Sequence, residues 1–424
     1  MHAPVDLSVV IPAFDEAPNL AVLLPQLREV LDRLQIRYEV LIVTPGPDRE
    51  SIAVSTQFGA RVLEQVEPGY GGALRTGFAT AQGAYLATMD ADLSHRPIFL
   101  LDLWSHRHDA EVLIASRYVA GGSARMPWGR YLLSRILNSL FSRCLALPIR
   151  DLSSGFRLYN TRVLRSLAPQ GRDFDILPEI LVKAYSEGFR VREIPFHYAP
   201  RRHGQSHARI IRFGLAYLKT LGALWRLRNS ILSGDYDDRA YDSRIPFQRY
   251  WQRKRFRYVK ELIEGQGAVL DVGCGSSRII GALPPGSVAL DIQMRKLRHA
   301  RKFSKPLVQG SILGLPFADG TFPCVLCSEV IEHVPKVPVV IDELCRVLAP
   351  GGRLVLGTPD YSRWEWRFIE SLYRRLVPGG YADEHIAHYT RRELTELFER
   401  RGFTIEAVRY IGRSELILAL RKPR

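Results

Sequence analysis

The chain has 424 residues, of which 46% are hydrophobic and 24% charged, and its 59 Lys and Arg against 44 Asp and Glu give a formal net charge of +15. This length exceeds what one ordinary hydrophobic core accommodates and predicts two or three domains, and the composition is that of a globular protein. The five cysteines form no even framework, which argues against a disulfide-stapled secreted fold.

The positive charge predicts an anionic partner: nucleic acid, an anionic membrane surface or a phosphorylated substrate. A generally basic surface without such a partner is the alternative. Met1 to Ser8 lacks the pattern of a secretory signal, and no stretch approaches the roughly 18 uncharged apolar residues of a spanning helix. We therefore predict a cytoplasmic protein, with peripheral association at the cytoplasmic membrane face left open.

The amino-terminal part alternates apolar strands with a periodic helical segment. LSVVIP at 7–12 and YEVLIV at 38–43 are predicted strands, and the segment from Asn19 to Leu34 between them has helical periodicity. A third predicted strand, YLATM, covers 85–89. This βαβ beginning predicts an α/β domain with a mostly parallel sheet.

Two aspartates, Asp90 and Asp92, come directly after the third predicted strand. Two buried negative charges are costly unless a cation accompanies them. Side chains at i and i+2 of an extended segment point to one side, so this pair suits a hard divalent cation that also binds a substrate diphosphate.

A strongly basic segment follows later in the same part of the chain. Residues 194–234 contain no Asp or Glu, and 209–232 interleave basic residues with large apolar ones. A helix of this kind can lie in a membrane interface with its basic side chains on lipid phosphates. A helix packed on its own domain, with a basic outer edge, is an equally good interpretation.

A polar segment without periodicity, SGDYDDRAYDSRIP at 233–246, predicts a domain boundary. We place one domain at 1–234, a linker at 235–246 and a second domain at 247–424. The second part is predicted to form another βαβ series, with strands at 268–275, 287–291, 324–328 and 352–357.

Six motifs of the first domain occur together in one order. They are LSVVIPAFDEAPNL, EPGYGGALRTGFATAQGAYLATMDADLSH, SRYVAGG, IRDLSSGFRLYN, FDILPEILVKAYSEGFRVREIP and RRHGQS. Over about residues 6 to 210 the chain thereby resembles family 2 glycosyltransferases, most closely the dolichol-phosphate mannosyltransferase-like branch. The resemblance implies a GT-A fold and inverting transfer of a sugar from a UDP- or GDP-linked donor to a polyprenyl phosphate.

The same resemblance implies roles for individual residues. The nucleotide-sugar site would comprise Pro12, Ala13, Glu16, Asp90, Arg201 and Ser206. Asp90 and Asp92 would hold Mg²⁺ or Mn²⁺, with Asp92 counted among the catalytic residues, and the acceptor phosphate would meet Arg117, Arg130 and Ser134. Thr44 and Pro45 stand where the family has carboxylates that contact the nucleotide, so the base is not identified.

The type of acceptor decides whether a base is needed. A phosphate acceptor is already anionic at pH 7 and needs cations that hold it in line. A hydroxyl acceptor requires a carboxylate base, and Glu179 is the catalytic candidate for that reaction. A first domain that binds without catalysing, because its nucleotide site is altered at Thr44, is a further alternative.

The second domain opens with AVLDVGCGSSRII at 268–280, an apolar strand followed by a Gly-x-Gly turn and a helix. This turn lets the backbone approach a ligand closely, as in dinucleotide and S-adenosylmethionine sites. With the segment 315–359, the domain resembles class I S-adenosylmethionine-dependent methyltransferases of Rossmann-like fold. The resemblance implies cofactor contacts by Asp271, Gly273, Gly275, Asp291 and Ser311.

The string SEVIEHVP places Glu329, Glu332 and His333 at helical spacing. On one turn they would share a face and could bind a metal, with His385 or His388 as a further ligand. Metal-free relatives share this string, so His333 as general base is the sharper hypothesis, and a histidine that merely caps or packs is an equally good interpretation.

The segment RYWQRKRFRYVK at 249–260 mixes basic and aromatic residues, as nucleic-acid-binding segments do. We favour instead a helix that covers the cofactor with its aromatic side chains. The prediction is thus an α/β protein with a GT-A domain and a class I methyltransferase domain that acts on a related glycan, lipid or small-molecule intermediate. An RNA methyltransferase is the remaining alternative.

Overall fold

The computed structural model describes residues 4–46, 48–199, 210–376 and 385–424, and of 210–219 and 372–376 it describes the backbone only. The chain divides into two compact units. Unit 1 consists of residues 1–185 and 189–228, and unit 2 of residues 186–188 and 229–424.

Unit 1 contains nine strands and eight helices within the described residues. They are β1 (Leu7–Pro12), α1 (Ala17–Arg33), β2 (Tyr38–Thr44), α2 (Arg49–Gln57), β3 (Arg61–Glu64), α3 (Tyr70–Thr80), β4 (Tyr85–Thr88), α4 (Leu100–Ser105), β5 (Val112–Ser116), β6 (Ser123–Ala124), α5 (Trp128–Cys144), β7 (Arg157–Asn160), α6 (Thr161–Leu167), α7 (Ile176–Ser186), β8 (Val191–Pro195), β9 (His197–Tyr198) and α8 (Ile210–Asn229).

Seven of these strands form one sheet in the order β3-β2-β1-β4-β7-β5-β8. β1, β2, β3 and β4 are parallel, and β7 runs antiparallel to its neighbours β4 and β5. Helices cover both faces, which is why β1 is a continuous apolar run buried on each side. The parallel strands bring the residues after β1, β2 and β4 to one edge of the sheet.

The boundaries of unit 1 differ from the predicted ones for local reasons. Helix α1 begins two residues before Asn19, because Pro18 suits the first turn of a helix. Strand β3 was not predicted, since it is short and only half-buried at the sheet edge. Strand β4 ends at Thr88, so Asp90 and Asp92 lie in the loop after it.

Unit 2 contains seven strands and seven helices within the described residues. They are α9 (Tyr236–Tyr241), α10 (Pro246–Ile263), β10 (Val269–Val272), α11 (Ile279–Ala282), β11 (Val288–Asp291), α12 (Met294–Ala300), β12 (Leu307–Gln309), β13 (Phe322–Ser328), α13 (Pro338–Val347), β14 (Leu348–Pro359), α14 (Trp364–Leu376), α15 (Arg391–Glu399), β15 (Thr404–Ile411) and β16 (Glu415–Arg421).

The sheet of unit 2 has the order β12-β11-β10-β13-β14-β16-β15. Its first five strands are parallel, and β16 and β15 form an antiparallel hairpin at one edge. The order reverses at β10, and in doubly wound sheets ligands bind at such a reversal, beyond the carboxyl ends of the strands. Unit 2 therefore has the predicted Rossmann-like architecture.

The segment 235–246, predicted to be a linker, is ordered in unit 2. It contains α9, whose residues Tyr236, Asp238 and Ala240 are buried. Asp238 accepts hydrogen bonds from Arg278 and from His299. The polar composition and lack of periodicity suggested a connector, but here Asp238 is paired with basic residues that lie far away along the chain.

Candidate active sites

In unit 1 the predicted nucleotide-binding residues follow strand β1. Pro12 ends the strand, and the Ala13 N–H donates to the carbonyl of Val43 at 2.9 Å, which fixes the turn against β2. The Glu16 carboxylate accepts a hydrogen bond from the Asn19 side chain at 2.5 Å. These residues thus lie at the carboxyl edge of the parallel strands, beside the loop that follows β4.

Asp90 and Asp92 differ in their surroundings. The side chain of Asp92 is 2% exposed, and its Oδ1 accepts bonds from the backbone N–H of Ser94 at 3.0 Å and from the Ser94 hydroxyl. Asp90 is 30% exposed, and its Oδ1 accepts from the Tyr70 hydroxyl at 3.1 Å. We predicted that the two side chains point to one side of an extended segment. That argument does not apply, because both residues lie in a loop in which Leu93 has φ +64°.

The donor chemistry of this loop fits a hard divalent cation. Both candidate ligands are carboxylates, and the exposed fraction of Asp90 leaves an oxygen within reach of solvent. His95 lies behind the pair, with its Nδ1 accepting from the Asp90 N–H at 2.9 Å and its Nε2 3.8 Å from Asp90 Oδ2. That ring is stacked on Phe156, so it supports the loop from the core side.

The residues predicted to hold the acceptor phosphate lie around helix α5. Arg117 forms a two-pronged ion pair with Asp151, with both N–O distances at 2.7 Å, and also donates to Ser153. Burial acts to raise the pKa of Asp151, but the charge and hydrogen bonds of Arg117 lower it further than burial raises it. Arg117 is 12% exposed, and in this conformation its guanidinium is held by the ion pair with Asp151.

Ser134 lies near Arg117 because it is bonded to the residue that follows Arg117 in the chain. Its hydroxyl accepts from the Tyr118 hydroxyl at 2.8 Å, and Tyr118 follows Arg117 directly. Arg130 is exposed one helical turn earlier on α5. The structure thus brings Ser134 and Arg117 into one neighbourhood and leaves Arg130 at the helix surface.

Glu179 is engaged by backbone groups. Its carboxylate accepts from the N–H groups of Gln170 and Gly171 and pairs with Lys183 at 2.7 Å. The loop that it fixes lies against the start of α3, where the Gly71 N–H donates to the carbonyl of Arg172. This geometry does not support the predicted role of Glu179 as a base, because its oxygens hold a loop.

Two further predicted ligands, Arg201 and Ser206, lie outside the described residues. The basic helix at 209–232 corresponds to α8, and only its later side chains are described. Arg228 is fully buried and donates to the carbonyls of Leu145 and Ala146 at the end of α5, so this portion packs on its own unit. No helix of the described residues is long and apolar enough to cross a membrane.

Unit 2 contains a cavity of about 460 Å³ at the reversal of its sheet. All five predicted cofactor residues, Asp271, Gly273, Gly275, Asp291 and Ser311, line it. Gly273 has φ +72°, and a side chain there would meet Val330 at 2.3 Å, so only glycine keeps this wall of the cavity clear.

The cavity is lined by carboxylates whose charge is costly without a ligand. Burial, and next the charge of Asp291, raises the pKa of Asp271 to about 7. Burial also raises the pKa of Asp291, although its oxygens accept from the N–H groups of Gly275 and Gln293. A cationic ligand would relieve both costs.

A further carboxylate in the cavity was missed by sequence reasoning. Asp237 of α9 lines the cavity, accepts from the Ser276 N–H at 3.0 Å and pairs with Lys296 at 3.0 Å. The acidic residues around Asp237 in the sequence were the signal that could have identified it. Two aromatic residues of α10 also line the cavity, Phe247 and Trp251, of which only Trp251 belongs to the segment 249–260 that was predicted to cover the cofactor.

Glu329 departs from its predicted place on a shared helical face. It has φ +59°, and the short 3₁₀ helix begins only at Ile331. Its Oε2 therefore pairs with Arg255 at 3.1 Å, and Arg255 also binds Glu415 through two bonds of 2.7 Å. This pairing separates Glu329 from the predicted metal set.

Glu332, His333 and His385 do come together, with one ligand atom from each within 4.8 Å of the others. Glu332 is fully buried; its Oε2 accepts from Thr358, whereas its Oε1 has no hydrogen-bond partner among the described residues. Burial raises the pKa of Glu332 to about 8. His385 Nδ1 lies 2.9 Å from the Tyr361 hydroxyl, and His388 is stacked on the Tyr361 ring, so His388 is not part of the cluster.

Comparison with known proteins agrees with this division into two units. The model of Glycosyl transferase family 2 matches residues 8–168, and a Methyltransferase domain model matches residues 244–408. The chain is 30% identical over 213 residues to the polyprenol monophosphomannose synthase of Mycolicibacterium smegmatis, covering 47% of this chain and 79% of that protein. It is 32% identical over 164 residues to an uncharacterized 37.1 kDa protein in transposon TN4556 of Streptomyces fradiae, covering 36% of this chain and 42% of that protein.

Two solved structures are similar at lower identity. Glucosyl-3-phosphoglycerate synthase from Mycobacterium tuberculosis shows 18% identity and a TM-score of 0.42, over 53% of this chain and 80% of that one. A putative methyltransferase from Bacillus halodurans C-125 shows 19% identity and a TM-score of 0.33, over 40% of this chain and 98% of that one. On the family model and the mycobacterial relative, the chain belongs to glycosyl transferase family 2 and carries, as a second enzymatic unit, a methyltransferase domain.

Proposed function

We propose that unit 1 transfers a sugar from a nucleotide-sugar to a polyprenyl phosphate, with a divalent cation held by Asp90 and Asp92. The observation that carries this proposal is the 30% identity to a polyprenol monophosphomannose synthase over 79% of that protein's length. The placement of both aspartates at the carboxyl edge of the sheet, beside Pro12 and Glu16, supports it.

The residues of unit 1 suit a reaction in which charge builds on a leaving diphosphate. When bound at Asp90 and Asp92, Mg²⁺ or Mn²⁺ would neutralise that charge. The acceptor phosphate is already anionic and needs orientation more than deprotonation. Ser134 and Arg130 offer a hydroxyl and a guanidinium for that purpose, and the engagement of Glu179 in a loop agrees with a reaction that needs no carboxylate base.

Sugar transfer can be tested directly on the full chain. A panel of radiolabelled UDP- and GDP-sugars is incubated with polyprenyl phosphate and Mn²⁺, and the lipid-linked product is recovered by organic extraction. We expect extractable label from one donor and its loss with EDTA. Label that appears only when a glycan or lipid hydroxyl replaces the phosphate would contradict the proposal, and so would the absence of label under every condition.

For unit 2 we propose transfer of a methyl group from S-adenosylmethionine to an intermediate related to the product of unit 1. The cofactor supplies an activated methyl group on a sulfonium, and it carries positive charge that suits a cavity lined by Asp237, Asp271 and Asp291. Gly273 and Gly275 leave room for its close approach. His333 lines the same cavity and would deprotonate the acceptor.

The cluster of Glu332, His333 and His385 supports an alternative role for this histidine, because an imidazole bound to a cation cannot also take the proton of the acceptor. Within the part of the chain that the structure describes, Glu332 Oε1 is buried without a hydrogen-bond partner and lies in a cluster whose ligand atoms are within 4.8 Å of one another. We infer that these three residues hold a divalent cation that orients the methyl acceptor. Co²⁺ absorption and equilibrium dialysis test this inference independently of methyl transfer.

A further inference from the structure

Helix α5 presents apolar side chains to solvent in a regular row. Five of them are exposed: Trp128 by 76%, Leu132 by 39%, Leu133 by 40%, Ile136 by 53% and Leu140 by 52%. Four are spaced by four residues and the fifth borders the row, so they form one face about 18 Å long. We call this face the α5 stripe.

The opposite face of α5 is polar, contains Phe141 and is buried. Asn138 donates to Ser153 and accepts from the Leu152 N–H at 2.8 Å, and the Ser142 hydroxyl donates to the carbonyl of Ile149. The inward groups are therefore satisfied by unit 1 itself. A surface helix of a globular protein usually turns its apolar face to the core and its polar face to solvent. Helix α5 does the reverse, so packing within unit 1 does not account for the α5 stripe.

The charges around the stripe indicate which surface it meets. Residues 112–150 contain no Asp, Glu or Lys and six arginines, five of which are exposed, while Arg117 is paired with Asp151. Arg135 and Arg143 are exposed on the same helix, at the border and end of the stripe. An apolar face edged by arginines is complementary to acyl chains beneath anionic headgroups. A second copy of the chain would instead bring the same positive charge against itself.

We propose that the α5 stripe docks the protein on an anionic lipid bilayer, with α5 lying in the interface plane. Trp128 begins the helix and would sit at headgroup level, as tryptophans do at membrane interfaces. The purpose of this docking rests on the function proposed for unit 1: Arg130 and Ser134 lie on α5, and a polyprenyl phosphate would reach them from the bilayer.

A fluorescent reporter on Cys144 tests the docking. Cys144, at the end of α5, is exposed, whereas Cys274, Cys324 and Cys327 are buried. An environment-sensitive dye is attached to Cys144 in the full chain with Cys345→Ser, and vesicles of phosphatidylcholine alone or with phosphatidylglycerol are added. We expect co-sedimentation and increased dye emission with the anionic vesicles, weakened by added salt.

Substitution within the stripe supplies the decisive comparison. The double variant Leu132→Glu, Ile136→Glu is expected to lower the vesicle partition coefficient by at least about tenfold, because two apolar anchors become charged. Val66→Glu is the matched control, since Val66 is 85% exposed in unit 1 outside α5. Circular dichroism and thermal unfolding of the variants verify that unit 1 remains folded.

Three outcomes would overturn the proposal: no binding of the parent chain to anionic vesicles, equal binding by the double variant, or an oligomer in sedimentation velocity that the double variant dissociates. The last outcome would assign the stripe to a second copy. The vesicles contain no polyprenyl phosphate, so failure of docking and failure of sugar transfer are observed separately.

Discussion

The two candidate sites handle buried negative charge in different ways. In unit 1 the two carboxylates lie in the loop after β4, where Asp90 is 30% exposed and Asp92 is buried with its Oδ1 bonded to Ser94. In unit 2 the cavity encloses carboxylates such as Asp271, whose pKa burial and Asp291 raise to about 7. A buried acid can take up a proton in place of a cation, as the raised pKa of Asp271 indicates. We therefore expect unit 2 to respond to pH as well as to ligand, and unit 1 to respond to the metal proposed at Asp90 and Asp92.

Removal of one carboxylate from unit 1 should have the largest effect. Asp92→Asn is expected to reduce sugar transfer by at least about a hundredfold, because charge on the leaving diphosphate loses its cation. Asp102→Asn, at an exposed position of α4, serves as the matched control and should leave the rate unchanged. Extractable radiolabel measures both. An equal rate in Asp92→Asn and the control would contradict the assigned role.

In unit 2, Glu332→Gln should remove the inferred metal site. The variant keeps the side-chain shape but loses the charged ligand, and we expect Co²⁺ affinity to fall at least about tenfold. Visible absorption of the Co²⁺-loaded chain measures the affinity, and Glu343→Gln, outside the cluster, is the control. If the parent chain shows no ligand-field bands, the cation assignment fails and His333 is assigned the role of base instead.

The pH dependence of unit 2 should distinguish it from unit 1. The folded pKa of Asp271 is raised from 3.8 to about 7, so the folded state binds more protons than the unfolded state between these values. The contribution of Asp271 to the free energy of unfolding is therefore fully present below about pH 4 and is lost as the pH rises through about 7. A cationic cofactor favours the charged form, so its affinity should increase severalfold from about pH 6 to 8.

Thermal unfolding with and without S-adenosylmethionine measures both effects, and Asp271→Asn should flatten the two pH profiles. The pKa of Glu332 is raised to about 8, so this residue also makes stability fall as the pH rises. The Asp271→Asn variant retains that part of the pH dependence. Profiles of Asp271→Asn identical to those of the parent would assign the titration elsewhere.

Glu179→Gln should have the smallest effect on transfer. Its carboxylate accepts from two backbone N–H groups, so the substitution should lower the free energy of unfolding by about 1–3 kcal/mol. Sugar transfer by the folded variant should fall less than about tenfold. Abolished transfer with an unchanged unfolding temperature would make Glu179 a base and the acceptor a hydroxyl.

Sequence reasoning succeeded where local pattern decides structure. β1 was predicted with its observed bounds, because a buried central strand is a continuous apolar run between polar turns. The loop glycines Gly273 and Gly275 were found for a similar reason, since a positive φ selects glycine.

It failed where a partner lies far away in the sequence. The polar, non-periodic sequence around α9 suggested a linker, but Asp237 pairs with Lys296 and Asp238 with Arg278. Distant partners also went unforeseen at two residues whose site roles stay predictions: Arg117 pairs with Asp151, and Glu179 accepts from the N–H of Gln170. Helical spacing suggested a face containing Glu329, which a left-handed backbone conformation turns toward Arg255.

Donor binding with and without metal tests the central claim most directly. Calorimetric titration of the full chain with UDP and GDP, in Mn²⁺ or in EDTA, is compared between the parent and Asp92→Asn. The account predicts that one nucleotide binds the parent in Mn²⁺ and that binding disappears in EDTA and in the variant. Equal binding with and without metal, or none to either nucleotide by a folded parent chain, would contradict it.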